Sequence, residues 1–97
     1  MLHCIVMHEQ DDMATVLSPV SSGDQLEILD RDFRSAGAVT AAADIPFAHK
    51  IALRDIAMGE TVKKCGEIIG MATADIPKGD YLHVHNVRSL AGTGKEA

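Results

Sequence analysis

Two histidines near the end of the chain have the type and spacing to do chemistry. They lie in Tyr81-Leu82-His83-Val84-His85-Asn86-Val87, a segment in which polar and apolar residues alternate from Tyr81 to His85. Alternation predicts a strand, on which His83 and His85 would project side by side with their backbones about 7 Å apart. Such a pair suits metal binding, or a general base beside a cation that binds a carboxylate. An exposed polar face without function fits the same pattern.

Two other polar segments could contribute to the same site. His49 and Lys50 start an apolar run after a proline bend and could bind an anionic substrate. His8 ends the first apolar run, and Asp11 and Asp12 follow it in a turn, where they could add ligands for a divalent cation. The alternatives are a half-buried imidazole with satisfied hydrogen bonds at position 49 and solvated turn caps at the aspartates.

Asn86 is a further candidate for substrate binding. On a strand through residues 81–87 its side chain would point away from both histidines. In that position it is suited to hold a loop by hydrogen bonding to backbone groups. The sequence leaves both roles open.

Short strands must position these residues. Residues 4–8 and 25–29 have strand patterns, whereas residues 13–20 and 38–43 fit either a strand or a short helix. After residue 48, glycine-bearing turns separate three apolar runs, at 49–56, 61–62 and 67–76. The pattern predicts an all-β domain that contains at most short helical turns.

One turn sequence recurs along the chain. Asp55-Ile56-Ala57-Met58-Gly59-Glu60 and Asp75-Ile76-Pro77-Lys78-Gly79-Asp80 share it, and Pro19-Val20-Ser21-Ser22-Gly23-Asp24 is a weaker copy. We interpret the apolar residue as a strand end, the glycine as the positive-φ residue of the turn, and the acidic residue as the next strand start. Three such turns predict a folded-over, strand-rich architecture.

Composition narrows the possible functions. The 97 residues, 46% of them apolar, are enough for one domain. A net charge of −5 without a basic run argues against nucleic-acid binding. No apolar stretch approaches the roughly 20 residues that span a bilayer, and the start lacks signal-peptide features, so we expect no membrane contact and a cytoplasmic location. Cys4 and Cys65 lie in apolar runs, which predicts buried free thiols.

A family resemblance rests on an ordered, gap-free series of residues in the second half of the chain. It comprises His49-Lys50-Ile51-Ala52-Leu53, Asp55-Ile56, Gly59-Glu60, Val62-Lys63, Gly66, Ile69-Gly70, Ala72, Asp75-Ile76, Gly79-Asp80 and His83-Val84-His85-Asn86. This series resembles the SAF domain of altronate and galactarate dehydratases. More loosely, the similarity covers most of residues 4–87. The sequence departs from the family at Cys65, where an aromatic residue is typical, and over residues 30–44.

The resemblance implies a β-clip SAF-like domain, which we place at residues 1–88, followed by a flexible tail at 89–97. It implies the small subunit of a sugar-acid hydro-lyase that is inactive alone and completes a composite site with a large dehydratase subunit. A divalent metal, Fe²⁺ or Mn²⁺, is expected there, and self-association is left open. The alternatives are the alpha subunit of a (2R)-sulfolactate sulfo-lyase and a non-catalytic binding or assembly module.

Overall fold

The computed structural model describes residues 1–90, which form two β-sheets without a helix. The strands are β1 (Leu2–Ile5), β2 (Met13–Val16), β3 (Gln25–Leu29), β4 (Ser35–Thr40), β5 (Lys50–Ala52), β6 (Thr61–Lys64), β7 (Glu67–Ala72), β8 (Tyr81–Leu82) and β9 (Val87–Ser89). Six strands form one sheet in the order β4-β3-β1-β2-β5-β8, and β6-β7-β9 form the other. The all-β prediction is confirmed, and both ambiguous segments contain strands. Within residues 1–90, no helix could cross a membrane.

Two clusters of buried aliphatic side chains stabilise the sheets. In β3 the side chains of Leu26 and Ile28 are buried while Glu27 is partly exposed, as its alternation predicts. These residues belong to a cluster with Cys4, Val16 and Ile51, and the second cluster comprises Met13, Ala52, Ile56, Val62, Ala72, Ile76 and Leu82. The second cluster contains residues of both sheets, so it holds them together.

The recurrent turn sequence forms the same backbone turn four times. In each copy a residue with φ between 69° and 94° precedes a residue whose N–H donates to the carbonyl three positions earlier, at 3.0–3.1 Å. The positive-φ residues are Gly23, Ala48, Gly59 and Gly79. A positive φ at the third turn residue defines a type II turn. Sequence analysis missed the copy at residues 44–49 because alanine replaces the glycine.

The turns associate in pairs. Val20 bridges Ile45, and Ile56 bridges Ile76. In the second pair each turn is capped by an aspartate of the other, since Asp55 Oδ1 accepts from Lys78 N at 2.8 Å and Asp75 Oδ1 accepts from Met58 N at 2.9 Å. The first pair has only one such bond, from Ser22 N to Asp44 Oδ1 at 2.9 Å, because Pro19 occupies the other aspartate position.

The ordered strands extend beyond the domain boundary that sequence analysis placed at residue 88. Ser89 belongs to β9, and Leu90 N donates to Ile69 O at 3.0 Å. Residues 91–97 of the predicted tail lie outside the described residues. Residues 30–38, which match no regular pattern in the sequence, form the turn between β3 and β4 and the start of β4. Asp30 Oδ1 accepts there from the N–H groups of Asp32 and Arg34.

Gly79 and Gly59 offer a matched pair of alanine substitutions. Their φ angles are +91° and +90°, but a Cβ at Gly79 would clash with Thr40 O, whereas nothing lies within 4 Å of a Cβ at Gly59. We expect G59A to lower the free energy of unfolding by about 1–2 kcal/mol, the cost of a left-handed backbone. G79A adds the displacement of the backbone at Thr40 and should lose more than about 3 kcal/mol in total. Urea unfolding measures both, and equal losses would contradict this packing.

Candidate functional site

A turn, not a continuous strand, carries the two predicted histidines. The expectation of one strand through residues 81–87 is wrong, because β8 ends at Leu82 and β9 starts at Val87. His83 O accepts from the N–H groups of Asn86 and Val87, at 3.1 and 2.9 Å. Here the chain passes from the six-stranded sheet to the three-stranded sheet, and alternation of residue types does not reveal such a transfer.

Asn86 fixes the shape of this turn. Its side chain is buried; Oδ1 accepts from His83 N at 3.0 Å and Nδ2 donates to Tyr81 O at 2.8 Å. The amide therefore binds the backbone on both sides of Leu82, which is the loop-supporting role considered from the sequence. A contact of Asn86 with substrate stays a prediction.

Four rings gather around this turn. The rings of Tyr81 and His83 stack with centroids 5.5 Å apart and planes at 14°, and His85 lies 5.5 Å from Tyr81. His49 approaches from β5, with its centroid 5.1 Å from that of His83. The pairing of Lys50 with Leu82 explains this contact, since it continues to a pairing of residue 49 with residue 83. His83 and His85 are exposed, so the rings form an open surface.

His49 and Tyr81 are joined by a hydrogen bond of 2.7 Å between Nδ1 and the hydroxyl. When the hydroxyl donates, His49 is the tautomer that carries its proton on Nε2. In two other turn copies the residue at the position of His49 instead accepts from its own turn, as Asp24 does from Ser21 N and Glu60 from Ala57 N. Pro46 has no such N–H, so the side chain of His49 is available to Tyr81.

A cleft of about 370 Å³ adjoins the rings. Apolar side chains of both sheets line most of it, and Lys50, Lys64 and His83 lie at its edge. Burial and the nearby charge of Lys64 lower the pKa of Lys50 from its ordinary value. Lys50 Nζ also donates to Ala48 O at 3.1 Å. Lys64 is therefore a second cation beside Lys50, the residue predicted to bind an anion.

The other predicted metal ligands lie elsewhere. Among residues 1–90, no three His, Cys, Asp or Glu side chains are arranged to hold a metal ion. His8 lines a different cleft, formed with the turn at Asp30–Asp32, and its Nδ1 accepts from Gln10 N at 3.1 Å. The set His83, His85, His8 and Asp11 is therefore not assembled as a centre within this part of the chain.

Asp11 and Asp12 instead hold the hairpin of β6 and β7. The Asp11 carboxylate accepts from the N–H groups of Cys65 and Gly66, each at 2.8 Å. Asp12 accepts from Lys63 N at 2.8 Å and pairs with Arg54 Nε at 2.7 Å, a bond that raises the pKa of Arg54. Both carboxylates are buried, which corrects the alternative of solvated caps.

Cys65 corrects the prediction of two buried thiols. It is exposed, with φ of +54°, while Cys4 is free and buried as predicted. Residues 65 and 66 both have positive φ, as a type I′ hairpin turn requires. The apolar run around Cys65 therefore contains a turn.

Sequence analysis missed two residues of the site. Tyr81 contacts all three histidines, and the alternation Tyr81-x-His83-x-His85 was the signal that could have found it. Lys64 is the other, because the pair Lys63-Lys64 on a short strand is typical of a solvated face. Its position in the cleft depends on how the second sheet packs beside β5, for which the sequence carries no local signal.

Comparison with known proteins assigns the chain to a family. A model of the altronate/galactarate dehydratase SAF domain matches residues 2–90. The chain is 36% identical over 85 residues to the altronate dehydratase of Escherichia coli, which is 88% of this chain but 16% of that enzyme. It is 38% identical over 88 residues to the (2R)-sulfolactate sulfo-lyase subunit alpha of Chromohalobacter salexigens, across 87% of this chain and 92% of that subunit. The chain belongs to this SAF family.

The family model covers residues 2–90, and the structure describes residues 1–90, so the match extends over both sheets. A second (2R)-sulfolactate sulfo-lyase subunit alpha, from Paracoccus pantotrophus, is 43% identical over 58 residues, or 60% of this chain and 81% of that subunit. These relatives are lyases by name, and the SAF domain is a part that they share. The chain spans 16% of the dehydratase and most of each alpha subunit.

Asn86 of the SAF domain should control the shape of the ring cluster. N86A leaves the N–H of His83 and the carbonyl of Tyr81 without their partner, at a cost of about 2–3 kcal/mol in the free energy of unfolding. We expect the NMR signals of the His83 and His85 rings to shift as the turn loosens. N86D keeps the acceptor but turns a buried carboxylate oxygen toward the carbonyl oxygen of Tyr81, so it should lose at least as much as N86A. Unchanged stability and unchanged ring signals in N86A would contradict the assignment.

The two thiols should differ sharply in reactivity. Burial raises the pKa of Cys4 from 9.0 to about 11, so the SAF domain keeps this thiol neutral and covered at pH 8. A disulfide reagent such as DTNB should label one thiol of the native chain, lost in C65S, and two after denaturation. Because the folded state favours the neutral Cys4 thiol, ionisation of Cys4 does not lower the free energy of unfolding below pH 9. Between pH 9 and pH 11 the unfolded chain loses this proton more readily, so the free energy of unfolding declines. Rapid labelling of native C65S would contradict the burial.

Proposed function

We propose that this chain is the SAF subunit of a hydroxy-acid lyase and supplies the rings around Tyr81 to a composite active site with a large subunit. The favoured reaction is the dehydration of a sugar acid of the altronate or galactarate type. The observation that carries this proposal is the cluster of three histidines and a tyrosine, with His83 and His85 exposed, beside a cationic cleft. Family membership supports the reaction class, because the relatives are a dehydratase and sulfo-lyase subunits.

The chemistry of dehydration fits the groups that this surface offers. The reaction removes a proton from the carbon beside a carboxylate and expels a β-hydroxyl group, which calls for a base, an acid and a cation near the carboxylate. His83 and His85 are exposed imidazoles, a type of side chain that serves as general base or general acid. Lys50 can neutralise the carboxylate, while the bond between Tyr81 and His49 holds one ring of the cluster in place.

The surface is incomplete by itself. It is open to solvent, whereas such reactions require water to be excluded and the developing charge to be stabilised. Residues 1–90 do not assemble a metal site, so the expected divalent cation, Fe²⁺ or Mn²⁺, would take its ligands mainly from the large subunit. Val84, at the tip of the turn between the two histidines, is 82% exposed and suits burial against that subunit.

A sulfo-lyase subunit alpha is the second candidate. The chain covers 92% of the subunit alpha of Chromohalobacter salexigens, so this relative is matched over nearly all of its own length. In this reaction the bond that breaks joins carbon to sulfur, and sulfite leaves instead of water. Base and carboxylate-binding groups are needed in the same positions, so the surface described above serves either reaction.

Reconstitution tests the proposal. The chain alone should show no turnover, and addition of a large dehydratase-like subunit should restore it. H83A or H85A should lower kcat by about 10²–10⁴-fold, as expected on loss of a general acid or base. Product analysis with altronate, galactarate and (2R)-sulfolactate, including a sulfite assay, separates the two candidates.

The control is H3A. His3 lies on β1, pairs with Glu27 at 3.4 Å and is outside the ring cluster, so its loss should leave turnover unchanged. If H83A and H85A assemble with the large subunit and retain full turnover, the chain is a non-catalytic assembly module and the catalytic proposal fails. Absence of turnover with every acid, despite assembly of the complex, would refute the lyase proposal.

A further inference from the structure

Among residues 1–90, the charged side chains that line the cleft beside the rings are two lysines. Its apolar lining comes from Met13, Ile69, Leu82, Val84 and Val87, and Ser89 adds a hydroxyl. Lys50 extends from β5 of the large sheet and Lys64 from β6 of the small sheet. No aspartate or glutamate of the described residues 1–90 lines the cleft, although the whole chain carries 14 acidic residues against 9 basic ones. The fold therefore concentrates cations at one place on an acidic protein.

Neither lysine has an acidic partner within the described part of the chain. The ion pairs of residues 1–90 join His3 to Glu27 and Arg54 to Asp12 and Glu60. Glu67 is opposite Lys64 in the β6–β7 hairpin, yet the two form no ion pair. Two like charges near each other on low-dielectric walls repel, and they attract an anion more strongly than two isolated lysines do.

We propose that Lys50 and Lys64 bind the two anionic groups of a dianionic hydroxy acid, and that Lys64 sets the preference for such acids over monoanionic ones. The acid would carry two carboxylates, or a carboxylate and a sulfonate. This inference rests on the proposed function, and it names the substrate class: galactarate and (2R)-sulfolactate satisfy it, whereas altronate, with one carboxylate, does not.

The position of the cleft connects charge recognition to chemistry. His83 belongs both to the cleft and to the ring cluster, so an acid held by the two lysines lies against an exposed imidazole. A monoanion neutralises one lysine and leaves the other facing the bound ligand without a partner. A dianion neutralises both, and its carbon chain can lie along Leu82 and Val87. The difference in affinity between monoanions and dianions therefore depends on the second lysine.

Titration of the full chain tests this without any partner or turnover. The ¹⁵N-labelled chain is titrated with galactarate, (2R)-sulfolactate and altronate, and chemical-shift changes around the cleft give the Kd values. We expect tighter binding of both dianions than of altronate, and K64Q should weaken dianion binding about tenfold, as for loss of one charged hydrogen bond. K64Q should weaken the binding of altronate less than that of the dianions, and added salt should weaken the binding of the dianions more than that of altronate.

The matched control is K63Q, which removes the same charge from the adjacent residue. Lys63 does not line the cleft, so dianion binding should be unchanged. Equal losses in K63Q and K64Q would show a general charge effect and overturn the proposal, as would shifts outside the cleft or equal binding of mono- and dianions. Because this measurement needs no lyase activity, its failure can be told from failure of the proposed function, which reconstitution alone decides.

Discussion

Capping of turn N–H groups by side chains from elsewhere in the chain is the interaction on which this fold depends. The domain has few regular elements; its strands contain two to six residues, so much of the backbone lies in turns. A buried N–H without a partner costs about as much as a lost hydrogen bond. Asp11 caps the part-buried N–H groups of the hairpin turn at residues 65 and 66, and at the surface Asp55 and Asp75 cap each other's turns. By stabilising the turns, these carboxylates allow a fold whose strands are short.

The same type of contact joins the two sheets. Asp12 N donates to Lys63 O and its carboxylate accepts from Lys63 N, while Asp12 O accepts from Leu53 N. One residue at the start of β2 thus binds the end of β5 and the middle of β6. The pair with Arg54, itself linked to Glu60, supports this junction from outside. The cleft between Lys50 and Lys64 has its shape because this junction fixes the distance between β5 and β6.

Local sequence patterns predicted the fold class but not the geometry of the site. Alternation identified β3, and the glycine motif identified three of the four turns, since both signals arise from a residue's own backbone and immediate neighbours. The motif at residues 44–49 was hidden by Ala48, which takes φ of +69° without being glycine. The prediction of one strand over residues 81–87 was wrong because a pattern of residue types does not show that Asn86 is buried to hold a turn. The roles of Asp11 and Lys64 depend on contacts more than 50 residues away or across the two sheets, which no local pattern encodes.

The candidate site arises where the repeated turn departs from its own pattern. Three copies have glycine and then an acidic residue, and two of those acidic side chains bind within their own turn. The copy at residues 44–49 has Ala48 and His49 instead, and Pro46 removes the N–H that the last side chain would otherwise accept from. His49 is therefore directed to Tyr81, in the place where the other copies have a structural carboxylate. In two of the regular turns the last side chain binds the backbone of its own turn, whereas in the irregular turn it contacts Tyr81. His49 is thereby held with its ring centroid 5.1 Å from that of the exposed His83, so the departure from the turn pattern is what brings a third imidazole to the candidate site.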